Sequence, residues 1–344
     1  MRSADKHSAP EHPPARLAAG GHTMRAIAQD TYGAAEVLRP ARIDLPRIAD
    51  MEVLLQVRAA GLDRGTWHLM TGTPYLMRVI GYGFRRPKNR VPCIDVAGTV
   101  IAVGAAVTRF TAGDEVFGMS RGSFAEYAAA REDKLVHKPA SCTFEQAAVL
   151  GISGGTAWQA LEAGRVQAGQ RVLITGASGG VGSFAVQLAK ALGAEVTGVC
   201  STDKLDLVKN LGADQVVDYT NEDFADGSRY DLIIDIAGNP SLSRLRRALT
   251  PTGTAVIVGG ESRGKLTGGI GRQLRAVILT RFVTQRLTGL ASKERAADSE
   301  VLAAHITAGT VVPSIDRMYP LDQVPAAMRH LESGQVTGKI AITV

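Results

Sequence analysis

From residue 24 to about 147 the chain carries short runs rich in β-branched and aliphatic residues, MRAIAQ, EVLLQVRAAG, VAGTVIAVG and DEVFGM, separated by Gly and Pro. Runs of this length and spacing predict antiparallel strands in a barrel-like domain. From about 148 to 310 the rhythm changes. Apolar runs (RVLIT, EVTGVC, DQVVDY, DLIIDIAG, TAVIVGG) alternate with amphipathic stretches (GSFAVQLAKALG, KLDLVKNLG, LSRLRRALT). That alternation predicts βαβ units, a parallel sheet covered by helices on both faces. Residues 311–344 return to strands (VVPSIDRMYP, GKIAITV) around a short helix expected to start near Pro325. Residues 1–23 hold three prolines and no apolar period, which predicts a disordered tail before Met24. The expected architecture is α/β: a doubly wound parallel domain, 148–310, inserted in a β-barrel domain made of 24–147 and 311–344.

Composition narrows the function classes. With 344 residues and 45% hydrophobic content, the chain fills two cores and is neither disordered nor fibrous. Its apolar runs are too short to span a bilayer, and the first residues lack the apolar core of a secretory signal. Cys93, Cys142 and Cys200 are far apart in sequence and form neither a metal knuckle nor a disulfide framework, which fits a reducing, cytoplasmic setting. The net charge of +6 is scattered, except for Arg85, Arg86, Lys88 and Arg90, which read first as solvated surface.

One turn carries chemistry. Between RVLIT and the next helix stands Ala177-x-Gly179-x-x-Gly182, with Gly176, Ser178, Gly180 and Val181 beside it. Small residues between a strand and a helix let the backbone approach a pyrophosphate, while the helix's unpaired N–H groups and dipole face its charge. This is the dinucleotide fingerprint of a Rossmann domain. An NAD site wants an Asp or Glu at the tip of the second strand to accept from the ribose hydroxyls. Here that strand ends Val199-Cys200-Ser201-Thr202. Ser201 can donate to a 2′-phosphate and Lys204 adds a positive charge, so NADPH is the expected cofactor. Asp203 is assigned to capping the helix that follows.

From Met24 onward the chain resembles the medium-chain dehydrogenase/reductase superfamily. The resemblance rests on AAGLDRGTWH, VAGTVIAVG, GDEVFG, GSFAEY, AAVLGISGGTAWQAL, ITGASGGVG, LGADQVVDY and TGKIAITV. The AxGGVG form and LGADQVVDY look most like the quinone oxidoreductase branch. The resemblance implies a GroES-like catalytic domain, an inserted Rossmann domain and a site in the cleft between them. Thr156, Tyr219, Gly259 and Lys339 join the candidate cofactor residues. Where zinc members of the superfamily carry their three ligands, this chain has Asp63, Ile94 and a position near Ile152, and no cysteine lies between Cys93 and Cys142 to build a structural lobe. Apolar side chains cannot ligate Zn²⁺, so no metal is expected. His68 is read as structural or substrate-facing.

Without metal, the expected reaction is hydride transfer from NADPH to a quinone or an α,β-unsaturated carbonyl, with water or a tyrosine as proton source. Tyr75 is the candidate donor, with packing as its other reading. Asp63 is the candidate for orienting a donor or water, or else a turn carboxylate. Residues 76–91 are expected beside the cleft, as a lid or a solvated loop. Two rivals remain. One is an NADP-linked alcohol or carbonyl dehydrogenase; the other is a non-catalytic module in which NADPH controls binding to nucleic acid or protein through Arg85–Arg90. Residues 281–287 are expected to form an edge strand that pairs two copies into a homodimer.

Overall fold

The first seven strands pair with one another only in antiparallel fashion, as expected of runs separated by Gly and Pro: β1 (Thr23–Ala28), β2 (Arg39–Asp44), β3 (Glu52–Leu62), β4 (Asp95–Val103), β5 (Glu115–Met119), β6 (Tyr127–Arg131) and β7 (Leu135–His137). The structure, a computed structural model, describes residues 23–238, 240–259 and 268–344. The expected tail therefore falls almost wholly outside the described residues. β1 and β2 form a hairpin, and β3 is the hub of the larger sheet. One edge of β3 pairs with β4 along most of its length; the other pairs with β6 from Glu52 to Gln56 and with the last strand, β15 (Lys339–Thr343), from Ala59 to Leu62. A strand that changes partner halfway bends the sheet toward a barrel. β14 (Ile315–Pro320) pairs in parallel with β15 and completes a seven-strand sheet with β6 attached alongside.

Between these segments lies a six-stranded sheet in which every pairing is parallel. Its strands are β8 (Arg171–Thr175), β9 (Glu195–Cys200), β10 (Gln215–Asp218), β11 (Tyr230–Asp235), β12 (Leu249–Ile257) and β13 (Arg286–Gly289), in the order β10-β9-β8-β11-β12-β13. The order reverses direction between β8 and β11, the crevice where open α/β sheets bind ligands. Val172, Leu173, Ile174, Ile233 and Ile234 are essentially inaccessible because helices cover both faces.

The helices are α1 (Arg64–Thr71), α2 (Phe144–Ala148), α3 (Gly151–Gly164), α4 (Gly180–Ala191), α5 (Leu205–Asn210), α6 (Leu242–Ala248), α7 (Ile270–Thr280), α8 (Ala296–Thr307) and α9 (Val324–Glu332). Thr143 and Gln146 close a capping box on α2, and α9 starts with a proline in its first turn, as expected from Pro325. Two adjustments to the sequence reading follow. The strand expected over 281–287 occupies Arg286–Gly289, because α7 runs to Thr280 and a turn follows it; it does stand at the sheet edge. Asp203 does not cap α5. A single 3-10 turn, Thr202–Lys204, intervenes, and the Asp203 carboxylate takes its hydrogen bond from the Ser201 hydroxyl instead.

Candidate active site

A cleft of about 1360 Å³ runs from α1 across the mouth of the parallel sheet to the tips of β9 and β10. It is large enough for a dinucleotide with a second molecule beside it. Its centre is the turn after β8. Gly176 has φ of +69°, a conformation in which a side chain would be strained. At Gly182 a Cβ would lie 2.1 Å from the Gly176 carbonyl oxygen, so helix and turn pack at backbone distance. Ala177 is fully buried, with its N–H donated to Val199. Ala177 and Gly182 thus shape the turn from behind, and the wall itself is formed by Gly176, Ser178, Gly179, Gly180 and Val181. The first helical hydrogen bond of α4 is donated by Ser183 to Gly179, leaving the preceding N–H groups of the first turn directed at the cleft. An arrangement of this kind can cradle an anion.

Lys339 completes it. Its side chain is almost fully buried yet reaches the wall, and a Cβ on Gly180 would lie 2.9 Å from its Cδ. Its Nζ donates to Ser153 Oγ at 2.9 Å and stands 3.7 Å from Asp95 Oδ2. Asp95, from the first position of β4, is wholly buried, and its Oδ1 accepts from the Ile152 N–H at the start of α3. Burial pushes the Asp95 carboxyl well above the usual carboxylate range, with Lys339 pulling the other way. Sequence reasoning missed Asp95. The available signal was a lone carboxylate inside the apolar stretch 91–103, which has to find a partner once buried. Cys93, two residues earlier, is pushed up to about 12 by its burial and is a chemically inert thiol.

At the catalytic-domain end the wall is made by Asp63, Arg64, Trp67, His68, Thr73 and Met77. Asp63 is the N-cap of α1, with Oδ1 accepting from Thr66 N at 2.7 Å and from Thr66 Oγ1 at 3.1 Å. Its Oδ2 is buried without a hydrogen-bond partner among the described residues. His68 donates from Nδ1 to the Thr73 carbonyl at 2.6 Å, which leaves Nε2 as its second proton site. Tyr75 does not line the cleft. It is 39% exposed and lies against the Arg78 guanidinium, which also stacks on Tyr32 and donates to the Thr71 and Gly72 carbonyls. The expectation of Tyr75 as a proton donor is corrected on that ground. Among the described side chains of residues 76–91 only Met77 reaches the wall, and most of the others are exposed beside the mouth.

The far end gathers Ser201, Lys204 and Tyr219, with Thr156 and Gly259 nearer the middle. Lys204 donates from Nζ to the Gly334 and Val336 carbonyls, each at 3.0 Å, and so ties the parallel-sheet domain to the segment after α9. Ser201 is engaged with Asp203, so its hydroxyl is not the free donor the sequence reading assigned. Beside it, Asp218 is held down to about 2 by hydrogen bonds from Thr202, Thr220 and Asn221. Asp63 is the only carboxylate on the cleft wall among the described residues, and it lies at the opposite end. A second ion pair missed by sequence reasoning, Arg272 with buried Asp235 at 2.5 Å, fastens α7 beside the crevice. Among the described residues no group of three or more His, Cys, Asp or Glu is placed to hold a metal.

Two family models match the chain: an alcohol dehydrogenase GroES-like domain over residues 49–140 and a zinc-binding dehydrogenase over residues 211–342. The chain is 31% identical over 339 residues to a quinone oxidoreductase of Homo sapiens, covering 95% of this chain and 99% of that protein. It is 32% identical over 338 residues to an NADPH-dependent alkenal/one oxidoreductase of Arabidopsis thaliana, covering 93% and 79%. Among solved structures, the quinone oxidoreductase from Coxiella burnetii superposes with a TM-score of 0.83 at 28% identity, covering 94% of this chain and all of that one.

Proposed function

We propose, from the premise that the chain belongs to the medium-chain dehydrogenase/reductase superfamily, on its quinone oxidoreductase-like branch, that its cleft holds NADPH and reduces a quinone or an α,β-unsaturated carbonyl without zinc. The chain is an oxidoreductase working with a nicotinamide cofactor. The observation that supports NADPH is Lys204 on the wall at the far end, where no carboxylate lines the cleft and Asp203 is turned to the Ser201 hydroxyl. Absence of zinc is supported by Ile94 and Ile152 standing where two ligands are needed, with Asp63 committed to capping α1. The domain boundaries at 147/148 and 310/311 belong to the same proposal.

Bound NADPH supplies a hydride; the protein's residues position, neutralise and protonate. The first-turn N–H groups of α4 and the Lys339 ammonium neutralise the pyrophosphate. Lys204 and Tyr219 hold the adenosine phosphate end. Trp67, Met77, Ile152, Leu290 and Ile340 give the acceptor an apolar wall that keeps water away from the transfer. A proton drawn from solvent, passed on through His68 Nε2 or a water in the cleft, would complete the product. The test is NADPH oxidation across a panel of quinones, enones and aldehydes, with NADP-dependent alcohol oxidation as the reverse assay. Turnover of quinones or enones supports the proposal. Alcohol oxidation outrunning both would assign the cleft to an alcohol dehydrogenase instead, and cofactor binding without any turnover would leave a regulatory module.

A further inference from the structure

Two stretches that contribute to the wall of this cleft carry positive charge and no acid. Between Asp63 and Asp95 there is no Asp or Glu, and from Gly268 to Lys293 there is none either. These two stretches hold eleven of the 39 Lys and Arg residues and none of the 33 Asp and Glu, so the remaining 28 cations are outnumbered by acids elsewhere. Far apart in sequence, the stretches meet in space: a Cβ on Gly268 would lie 3.1 Å from Pro74 Cγ, and both residues line the cleft.

Each stretch also carries apolar side chains out into solvent. From Met77 on the cleft wall the chain passes to Val79, 68% exposed, then Tyr82 and Phe84, 71% exposed. Across the mouth, Ile270 on the wall begins an exposed stripe on α7 with Leu274 and Ile278, one helical turn apart, flanked by Val277 and followed by Phe282, 79% exposed. Arg85, Arg86, Lys88, Arg275 and Arg281 stand exposed among them. Large aliphatic and aromatic groups left in water beside cations are the composition of a surface that inserts apolar groups between acyl chains and sets cations at anionic headgroups.

We propose that the rim of the cleft docks on an anionic lipid bilayer, with Phe84 and the exposed stripe of α7 entering the headgroup boundary. A second copy of this chain fits less well, because a two-fold contact sets these five exposed cations against the same five. A nucleic acid fits less well too, since Val79, Leu274, Val277 and Ile278 find no partner on a phosphate backbone. The proposal uses the chemistry of the rim alone and requires no particular acceptor. No helix among the described residues is long and apolar enough to cross a membrane, so the attachment is peripheral.

Co-sedimentation of the full chain with vesicles tests it, using phosphatidylcholine alone or mixed with phosphatidylglycerol, at low and high salt. Binding to the mixed vesicles at low salt, lost at high salt and weak on phosphatidylcholine alone, is expected. Replacing Arg85, Arg86 and Lys88 together by Ala should weaken the partition roughly a hundredfold, at about fivefold per cation, and Phe84→Ser with Leu274→Ser should weaken it as well. Both variants should still reduce a water-soluble acceptor as the parent does, which separates this proposal from the one about the reaction. Absence of vesicle binding by the parent, or equal binding by the triple variant, overturns it. So does a Leu274→Ser change from dimer to monomer without vesicle binding, which makes the face an interface between copies, or RNA binding in place of vesicle binding.

Discussion

On the proposed function, Lys204 serves NADPH as well as the chain after α9, and two readouts of one substitution tell these apart. Its ammonium donates to the Gly334 and Val336 carbonyls at 3.0 Å while lining the end of the cleft assigned to the adenosine phosphate. A unit charge pair at about 4 Å is worth roughly 4 kcal/mol at an effective dielectric near 20. At a wet rim, screening leaves about a third of that, close to 1.4 kcal/mol or tenfold in affinity. Lys204→Met keeps the stem and removes the charge. It should raise the NADPH dissociation constant about tenfold and leave NADH nearly unchanged, since only NADPH carries the 2′-phosphate. The two lost hydrogen bonds to carbonyls should lower stability by about 1 kcal/mol in either cofactor's presence. The neighbouring carboxylate sharpens the case: Asp203, turned toward Ser201, already stands near the site, so Asp203→Asn should tighten NADPH, and Ser201→Asp should invert the preference toward NADH. Fluorescence titration of both cofactors against these variants is the assay. Equal weakening of NADH and NADPH by Lys204→Met would reduce Lys204 to a tether, and tighter binding of NADH by the parent would refute the cofactor assignment.

Elemental analysis of chelator-washed protein should find no stoichiometric zinc, and a zinc whose removal abolishes turnover would contradict the reading of Asp63, Ile94 and Ile152. Light scattering at micromolar concentration should return a dimer mass, paired through the open edge of β13, and Thr288→Pro should lower it; a parent that is monomeric argues against the edge. Asp218, held at about 2 against an ordinary 3.8, favours folding fully above about pH 4, and that contribution fades as pH falls through 2. The gap in thermal midpoint between the parent and Asp218→Asn should therefore be widest near neutrality and close in acid; a gap that is constant with pH would mean that the hydrogen bonds, not the ionised form, carry the effect.

The elements were legible because burial leaves a period. β8, β9 and β11 lie under helices on both sides and read as largely apolar runs, and β3 and β4, buried over most of their length and broken by the exposed Gln56 and Arg58 of β3, read as apolar runs as well. What the period does not contain is pairing. Nothing in EVLLQVRAAG announces that its first half pairs with β6 and its second half with β15 from the far end of the chain, and the bend of the sheet depends on that. The same limit explains the strand over 286–289. Residues 281–285 have β-type side chains but follow α7 directly, and a helix end needs its turn before a new strand begins.

The site divides along the same line. The turn at 176–182 was readable because its function is performed by backbone, and only glycine and alanine permit that backbone. Tyr75 was misplaced because its position is decided by Arg78 and Tyr32, whose stacking no local pattern predicts. The pair Asp95–Lys339 was half seen, as one lysine at the end of the chain. Yet Asp95 comes from β4, Lys339 from β15, and the groups they bond, Ile152 N–H and Ser153 Oγ, from the first turn of α3, which leads into the parallel sheet. The buried Asp95–Lys339 contact and two hydrogen bonds therefore join β4 and β15 to the first turn of α3, directly beneath Gly180. Removing Asp95 would leave the Lys339 ammonium buried and uncompensated, at a cost of about 3–5 kcal/mol. On the proposed function, Lys339 therefore serves both the turn at 176–182 and this junction of β4, β15 and α3.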